Sequence, residues 1–404
     1  MGFPHFAFTV VRWRLAVLLT LMYSCIGSVA LPAADGTGPS ALTEALRQAR
    51  TMIARDARKV PGLAVAVAWQ GRIVWSEGFG YADLEAKTPV VPSTTRFRIA
   101  SVSKPVTAAG LMRLVDRGLL DLDAPIQKYV PDFPVKPEGV ITTRLLAGHL
   151  AGIRHYRWRE PWRNEAFPSL TAALAIFKDD PLVVAPGAEF RYSTYGYTLI
   201  GAAMESAAHQ SFLDLMQTEV FAPLGLRHTV PDRAGVADPD RTVFYKHFVG
   251  GGYGVEGPID CSYKWPGGGF LSTADDLAVF GSALLQPGFL SAESLTQLFT
   301  PQVPRGGRRS SYGMGWGIVR NVRGRTFYLH DGDVQGGSSI VMILPNAKIV
   351  IAILTNLSRA SLLSRNDPML LVKCFDGLNA PASGREEPPA SDDLMPVGEE
   401  APGA

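Results

Sequence analysis

Cysteine is scarce in this chain, with three residues in 404. Cys25 falls inside an apolar N-terminal run, and Cys261 and Cys374 stand far apart without C-x-x-C spacing. That excludes a disulfide framework and a cysteine-built zinc site. An excess of charge of one sign is also missing. Lys and Arg number 39 against 37 Asp and Glu, and no stretch concentrates the basic ones, so nucleic acid is not an expected partner. No P-loop occurs, and no G-x-G-x-x-G follows an expected strand, which removes the common phosphate and dinucleotide sites. Without an H-x-x-E-H or a Cys/His cluster, no metal and no organic cofactor is expected.

Long apolar runs are confined to the N-terminus. Arg12 and Arg14 precede an apolar stretch from Leu15 to Val29, and Ser28-Val29-Ala30 supplies small residues at cleavage positions. This reads as a signal peptide over 1–34, and its removal takes the formal charge from +2 to about zero. The product would be periplasmic or secreted. An uncleaved membrane anchor is the alternative, because the run is only slightly shorter than the ~18–20 residues that span a bilayer.

What is present is a globular composition, 47% apolar and 19% charged, in a chain long enough for one large two-lobed domain. Apolar spacing predicts a helix over 41–58 that stops at Pro61-Gly62. Alternating valines then predict a hairpin, strands 63–69 and 72–81, turning at Gln70-Gly71. From residue 121 to about 258 the pattern is helix and loop, with expected helices over 142–150, 169–177 and 195–208. Two glycine runs, Gly250-Gly251-Gly252 and Gly267-Gly268-Gly269, mark places where backbone approaches a ligand or another strand. After a capped helix start at Ser272-Thr273, strands are expected over 314–319, 325–330, 338–344 and 349–354, joined by tight turns and therefore antiparallel. A last helix over 362–375 precedes a Pro-, Ala- and acid-rich tail, 379–404, expected to be disordered.

Chemistry concentrates at Ser101-Val-Ser-Lys104, read as a helix start that runs to Gly118. Positions i and i+3 share a helix face, so both side chains can enter one cavity. Burial holds a lysine neutral, and a neutral lysine can take the proton of a serine nucleophile. Pro105 leaves the Ser101 carbonyl without its i+4 donor. Tyr192 lies on the loop before the helix that Ser193 or Thr194 caps. His149 and His155 are read as makers of structural hydrogen bonds.

Ser101-Val-Ser-Lys104, Tyr192-Ser-Thr194 and His330-Asp-Gly332 occur in an order and rough spacing that resembles the three motifs of serine β-lactamases and penicillin-binding proteins. The branch resembled is the class C β-lactamase-related group, near the mitochondrial serine β-lactamase-like proteins and their bacterial relatives. Flanking stretches add to the likeness, among them His149-Leu-Ala-Gly-Ile-Arg-His155-Tyr and Ser262-Tyr-Lys-Trp-Pro-Gly-Gly-Gly. The resemblance implies an α/β fold, an antiparallel sheet flanked by helices with an inserted helical lobe. It divides the domain 35–378 into an α/β lobe, 40–110 and 265–378, and a helical lobe, 111–264. It makes Ser101 the nucleophile, Lys104 its partner and Tyr192 the general base. The backbone N–H groups of Ser101 and Asp333 would form the oxyanion site, with Thr194, His330, Asp331 and Gly332 facing substrate.

Two departures bear on substrate. The tyrosine motif usually ends in Asn, where this chain has Thr194, and the third motif usually carries a hydroxyl where this chain has Asp331. A carboxylate there repels an anionic β-lactam unless a protonated His330 pairs with it. The expected function is an exported serine hydrolase that forms an acyl-enzyme with a peptide or ester, a peptidase or esterase rather than an efficient β-lactamase. The alternative is a catalytically weak binding or scaffold module of the same fold, for cell-wall peptides or self-assembly. Expected partners are a small-molecule or peptide substrate and, as in some relatives, further copies of the chain.

Overall fold

The computed structural model describes residues 39–307, 310–320, 324–360, 366–375 and 378. The expected signal segment and the acid-rich tail lie outside them, as does the first part of the last expected helix. Helix α1 (Pro39–Asp56) leads into strands β1 (Gly62–Trp69) and β2 (Arg72–Asp83). Gln70 and Gly71 take φ of 50° and 82°, the two positive values that a tight two-residue hairpin turn requires. After β3 (Thr88–Pro89) the chain leaves the sheet. It returns with β4 (Gly317–Arg320), β5 (Thr326–Val334), β6 (Gly337–Leu344) and β7 (Ile349–Thr355). The order across the seven strands is β3-β2-β1-β7-β6-β5-β4, with antiparallel pairing throughout.

The sequence of β1 shows how one strand serves two cores. Ala64, Ala66 and Ala68 face one core, while Leu63, Val65 and Val67 face the other. The second core is closed by α1 and by helix α6 (Asn366–Cys374), through Leu42, Ala49, Ile53 and Leu371. On the alanine side helix α5 (Ala274–Ala283) lies against the sheet. Gly281 allows that approach, because a Cβ there would sit 2.5 Å from Val350. Each Leu or Val buried in these layers contributes roughly 1.5–3 kcal/mol.

Between the two halves of the sheet run helix α2 (Ser103–Asp116), the short α3 (Thr143–Ala147) and α4 (Thr194–Ala208), all packed in the first core. Three of the boundaries that differ from expectation have a clear local reason. The helix of the serine motif begins at Ser103; Ala100–Val102 form a 3-10 turn before it, with Val102 N–H bonded to the Ile99 carbonyl. Pro105 has no N–H for the Ser101 carbonyl, so the regular helix cannot start earlier. The strand expected from 314 begins at Gly317, because Gly315 has φ of 77° and gives its N–H to Ala147 instead of a neighbouring strand. The strand expected over 325–330 continues to Val334, since Asp331, Gly332, Asp333 and Val334 stay in register with Ile340, Ser339, Ser338 and Gly337. The third motif is therefore strand. Among the described residues no helix is long and apolar enough to cross a membrane.

Candidate active site

Two secondary elements aim the nucleophile. Phe97–Arg98 pairs with Phe270–Ser272 in a small second sheet, and Ile99 N–H bonds to the Phe270 carbonyl. The chain then turns through Ala100, whose φ of 44° is rare for a residue with a Cβ. That turn presents Ser101 above the start of α2. Lys104 is fully buried, and its Nζ lies 3.0 Å from Ser101 Oγ, 2.6 Å from the Gly267 carbonyl and 3.2 Å from Thr194 Oγ1. Burial holds the Lys104 pKa well below its ordinary value; the Asp331 charge opposes this and the Lys264 charge adds to it. A neutral amine fits the contacts one for one. Its two N–H groups serve Gly267 and Thr194, and its lone pair faces the Ser101 hydroxyl.

Tyr192 approaches from the other side, its phenol 2.9 Å from Ser101 Oγ. Burial raises the phenol pKa above its ordinary value, and the Asp331 charge raises it further against the Ser101 hydrogen bond. The resting phenol is thus protonated and donates to Ser101 Oγ. Its position is fixed by the helix start behind it. Ser193 caps α4 through the Gly196 N–H and donates its hydroxyl to the Arg154 carbonyl. The Ser193 and Thr194 amides donate to His149 Nδ1 and His155 Nδ1, each at 3.2 Å. Burial holds both imidazoles neutral, His155 at about 3 and His149 well below its ordinary value. The two histidines make structural hydrogen bonds, and among the described residues no group of His, Cys, Asp and Glu could hold a metal ion.

The third motif departs from the role given to it. His330 is buried, and that burial pushes its pKa down to about 3. Its Nδ1 donates to the Asp331 carbonyl at 2.6 Å, and its Nε2 accepts from the Tyr312 hydroxyl at 2.9 Å. It supplies no cation for a substrate carboxylate and does not protonate to offset Asp331. Asp331 itself is half-buried, and its charge acts on Lys104 and Tyr192. Thr194 is buried against Lys104 rather than turned toward substrate. Gly332 is where β5 meets the nucleophile: a Cβ there would lie 2.7 Å from Ser101 N and 2.6 Å from the Ile99 carbonyl oxygen. The Asp333 carboxylate accepts from Ser338 Oγ and the Arg359 amide.

Gly267 and Tyr312 were not assigned from the sequence. The glycine run did signal a close approach, and the approach is to Thr194, whose Cγ2 would be 2.6 Å from a Cβ at position 267. That contact lets the Gly267 carbonyl reach Lys104. Tyr312 carries no motif, and only the fold brings its hydroxyl to His330.

Comparison with known proteins bears on the family and the fold. A family model described as Beta-lactamase matches residues 44–372. The chain is 33% identical over 402 residues to Serine beta-lactamase-like protein LACTB, mitochondrial, of Homo sapiens, covering 74% of this chain and 72% of that protein. Among solved structures it is similar to an octameric penicillin-binding protein homologue from Pyrococcus abyssi, with a TM-score of 0.69, 26% identity, and 83% of this chain and 79% of that one covered. It also shares its fold with EstCE1, a hydrolase with promiscuous acyltransferase activity, at a TM-score of 0.70 and 22% identity, covering 83% and 98% of the two chains.

Proposed function

The chain belongs to the beta-lactamase family, and from that premise we propose that it is an exported serine hydrolase that cleaves a peptide or ester through an acyl-enzyme on Ser101. The observation that carries this reading is the fully buried Lys104 at 3.0 Å from Ser101 Oγ, with Tyr192 at 2.9 Å on the other side. Lys104 takes the Ser101 proton as Oγ attacks the substrate carbonyl. Tyr192 gives its proton to the departing amine or alcohol. The acyl-enzyme then holds a Lys104 ammonium and a Tyr192 phenolate, whose ring centroid lies 4.7 Å from Nζ. In the second half-reaction water gives its proton to the phenolate and attacks the ester. Ser101 Oγ leaves with the Lys104 proton, so every group returns to its starting state. The Ser101 and Asp333 amides are assigned to the oxyanion, where one such donor is worth about 3 kcal/mol.

The third motif supports a substrate without a carboxylate next to the scissile bond. A neutral His330 offers no countercharge, and Asp331 adds a negative one. A neutral or cationic peptide or ester fits this field better than a penicillin or a D-Ala-D-Ala terminus. Export is supported by the N-terminal sequence, and N-terminal sequencing of protein recovered from a cell fractionation tests it. Self-association is supported by the octameric state stated for the Pyrococcus abyssi homologue, and light scattering on the purified protein tests that. A panel of p-nitrophenyl esters, nitrocefin, D-Ala-D-Ala and peptide substrates tests the activity. Turnover of esters or peptides that is absent from Ser101→Ala is expected. Equal turnover by both proteins would end this reading.

A further inference from the structure

We infer that His149 is a positioning residue for Tyr192: its Nε2–H lies against the aromatic cage around the phenol and stabilises the phenolate formed in the acyl-enzyme. The inference rests on the acyl-enzyme reading above. His149 is 2% exposed. Its Nδ1 accepts the Ser193 amide, so the neutral ring carries its proton on Nε2. That buried Nε2 has no hydrogen-bond partner among the described residues. What surrounds the imidazole is aromatic: Tyr192 at 4.4 Å between ring centroids, Tyr312 at 4.9 Å, and Tyr197 and Phe190 each at 5.5 Å. Tyr192 is the nearest of the four.

An aromatic face is the negative part of the ring quadrupole and attracts an N–H. A phenolate ring is richer in electrons than a phenol ring, so the same contact strengthens when Tyr192 loses its proton. The backbone is consistent with a residue held for a purpose. His149 has φ of 58°, a left-handed conformation that costs energy for a residue with a Cβ and is best tolerated by Asn, Asp and His. Its carbonyl accepts the Arg191 amide, which ties this strained turn to the residue next to Tyr192. Other groups also face the phenol. Ser101 and Lys104 lie on the α2 side, Asp331 and His330 on β5, His155 on the loop after α3, and Tyr197 and Tyr312 behind the imidazole. The Lys104 ammonium favours the phenolate and the Asp331 carboxylate opposes it. Neither accounts for an imidazole N–H without an oxygen to bond.

The test compares the acylation rates of wild type, His149→Phe and His149→Asn with a p-nitroanilide substrate, whose departing amine must take the Tyr192 proton. A second readout follows the Tyr192 phenol by NMR of ring-labelled tyrosine in a Ser101→Ala background, assigned by its loss in Tyr192→Phe. His149→Phe is expected to slow acylation roughly tenfold, because a phenolate that is harder to form makes Tyr192 a weaker acid toward the leaving amine, and to move the phenol titration to higher pH. His149→Asn fits the left-handed backbone and keeps a side-chain N–H, so it recovers most of the loss. An unchanged phenol titration and acylation rate in His149→Phe would overturn the inference. So would an Asn variant no better than Phe. Should His149→Phe not fold, the Nε2–H resonance of wild type decides, because a proton over a ring is shifted upfield and one bonded to oxygen is not. Wild type that forms no acyl-enzyme would overturn the parent reading instead.

Discussion

Adding one methyl group at Gly332 should disable the enzyme while leaving most of its fold intact. The ideal Cβ would sit 2.6 Å from the Ile99 carbonyl oxygen, 2.7 Å from Ser101 N and 2.8 Å from Ser339 Oγ. Carbon needs roughly 3.5 Å or more from such atoms, so β5 and the Ser101 turn must separate by several tenths of an ångström. Two of the three neighbours are backbone, which cannot rotate away. Overpacking of this kind costs about 1–3 kcal/mol of stability. The larger effect falls on catalysis, because the displaced atoms carry the two amides assigned to the oxyanion. Losing one such donor costs about 3 kcal/mol, close to a hundredfold in kcat. Gly332→Ala should therefore show a roughly hundredfold lower kcat on its best ester, with a cooperative melt a few degrees below wild type. Gly196→Ala is the control, since its Cβ meets nothing closer than 3.6 Å and it lies in a helix. Wild-type kcat in Gly332→Ala would refute the close contact between β5 and the nucleophile.

Three further outcomes follow from the same geometry. Asp331→Thr removes the carboxylate that acts on Lys104 and Tyr192, so acylation by penicillin should rise about tenfold or more; stopped-flow acylation with an unchanged rate contradicts this. His155 and His330 have folded-state pKa values of about 3 against an ordinary 6.5. Between those values the unfolded chain binds more protons, so stability is complete above pH 6.5 and is lost as pH falls toward 3. Urea midpoints measured from pH 7 to pH 4 should decline steadily, and a flat profile contradicts the burial. Arg98 and Asp232 form a buried ion pair at 2.7 Å, and Arg98 also donates to the Gln335 carbonyl in the turn that joins β5 to β6. Asp232→Ala leaves that guanidinium unpaired and should cost about 3–5 kcal/mol in urea denaturation, much of it recovered when Arg98→Met is added.

Most of the fold was legible because its signals are local. The valine alternation of 63–69, the Gln70-Gly71 turn and the return of short apolar strands after 313 correspond to β1 and β4–β7 with shifts of a few residues. Ser101, Lys104 and Tyr192 were singled out because their motifs resemble those of a known family, and the fold brings the three side chains together. What could not be read were properties that depend on burial. His330 looked like a cation in a motif, yet its burial holds it neutral. Thr194 looked like a substrate contact, yet the glycine run at 267 brings the chain in behind it and turns its hydroxyl to Lys104. Tyr192 was assigned the role of general base, and only the packing around it shows that burial keeps its phenol protonated at rest. A residue's type is written in the sequence, but its protonation state is set by neighbours from distant segments.

Intact-protein mass spectrometry after brief exposure to an activated ester tests the central claim most directly. The account predicts a single acyl adduct on wild type, mapped to Ser101 and decaying with turnover. It also predicts no adduct on Ser101→Ala, and none within the same time on Lys104→Met, whose serine lacks its base. An adduct on Ser101→Ala, or full-speed acylation of Lys104→Met, would contradict it.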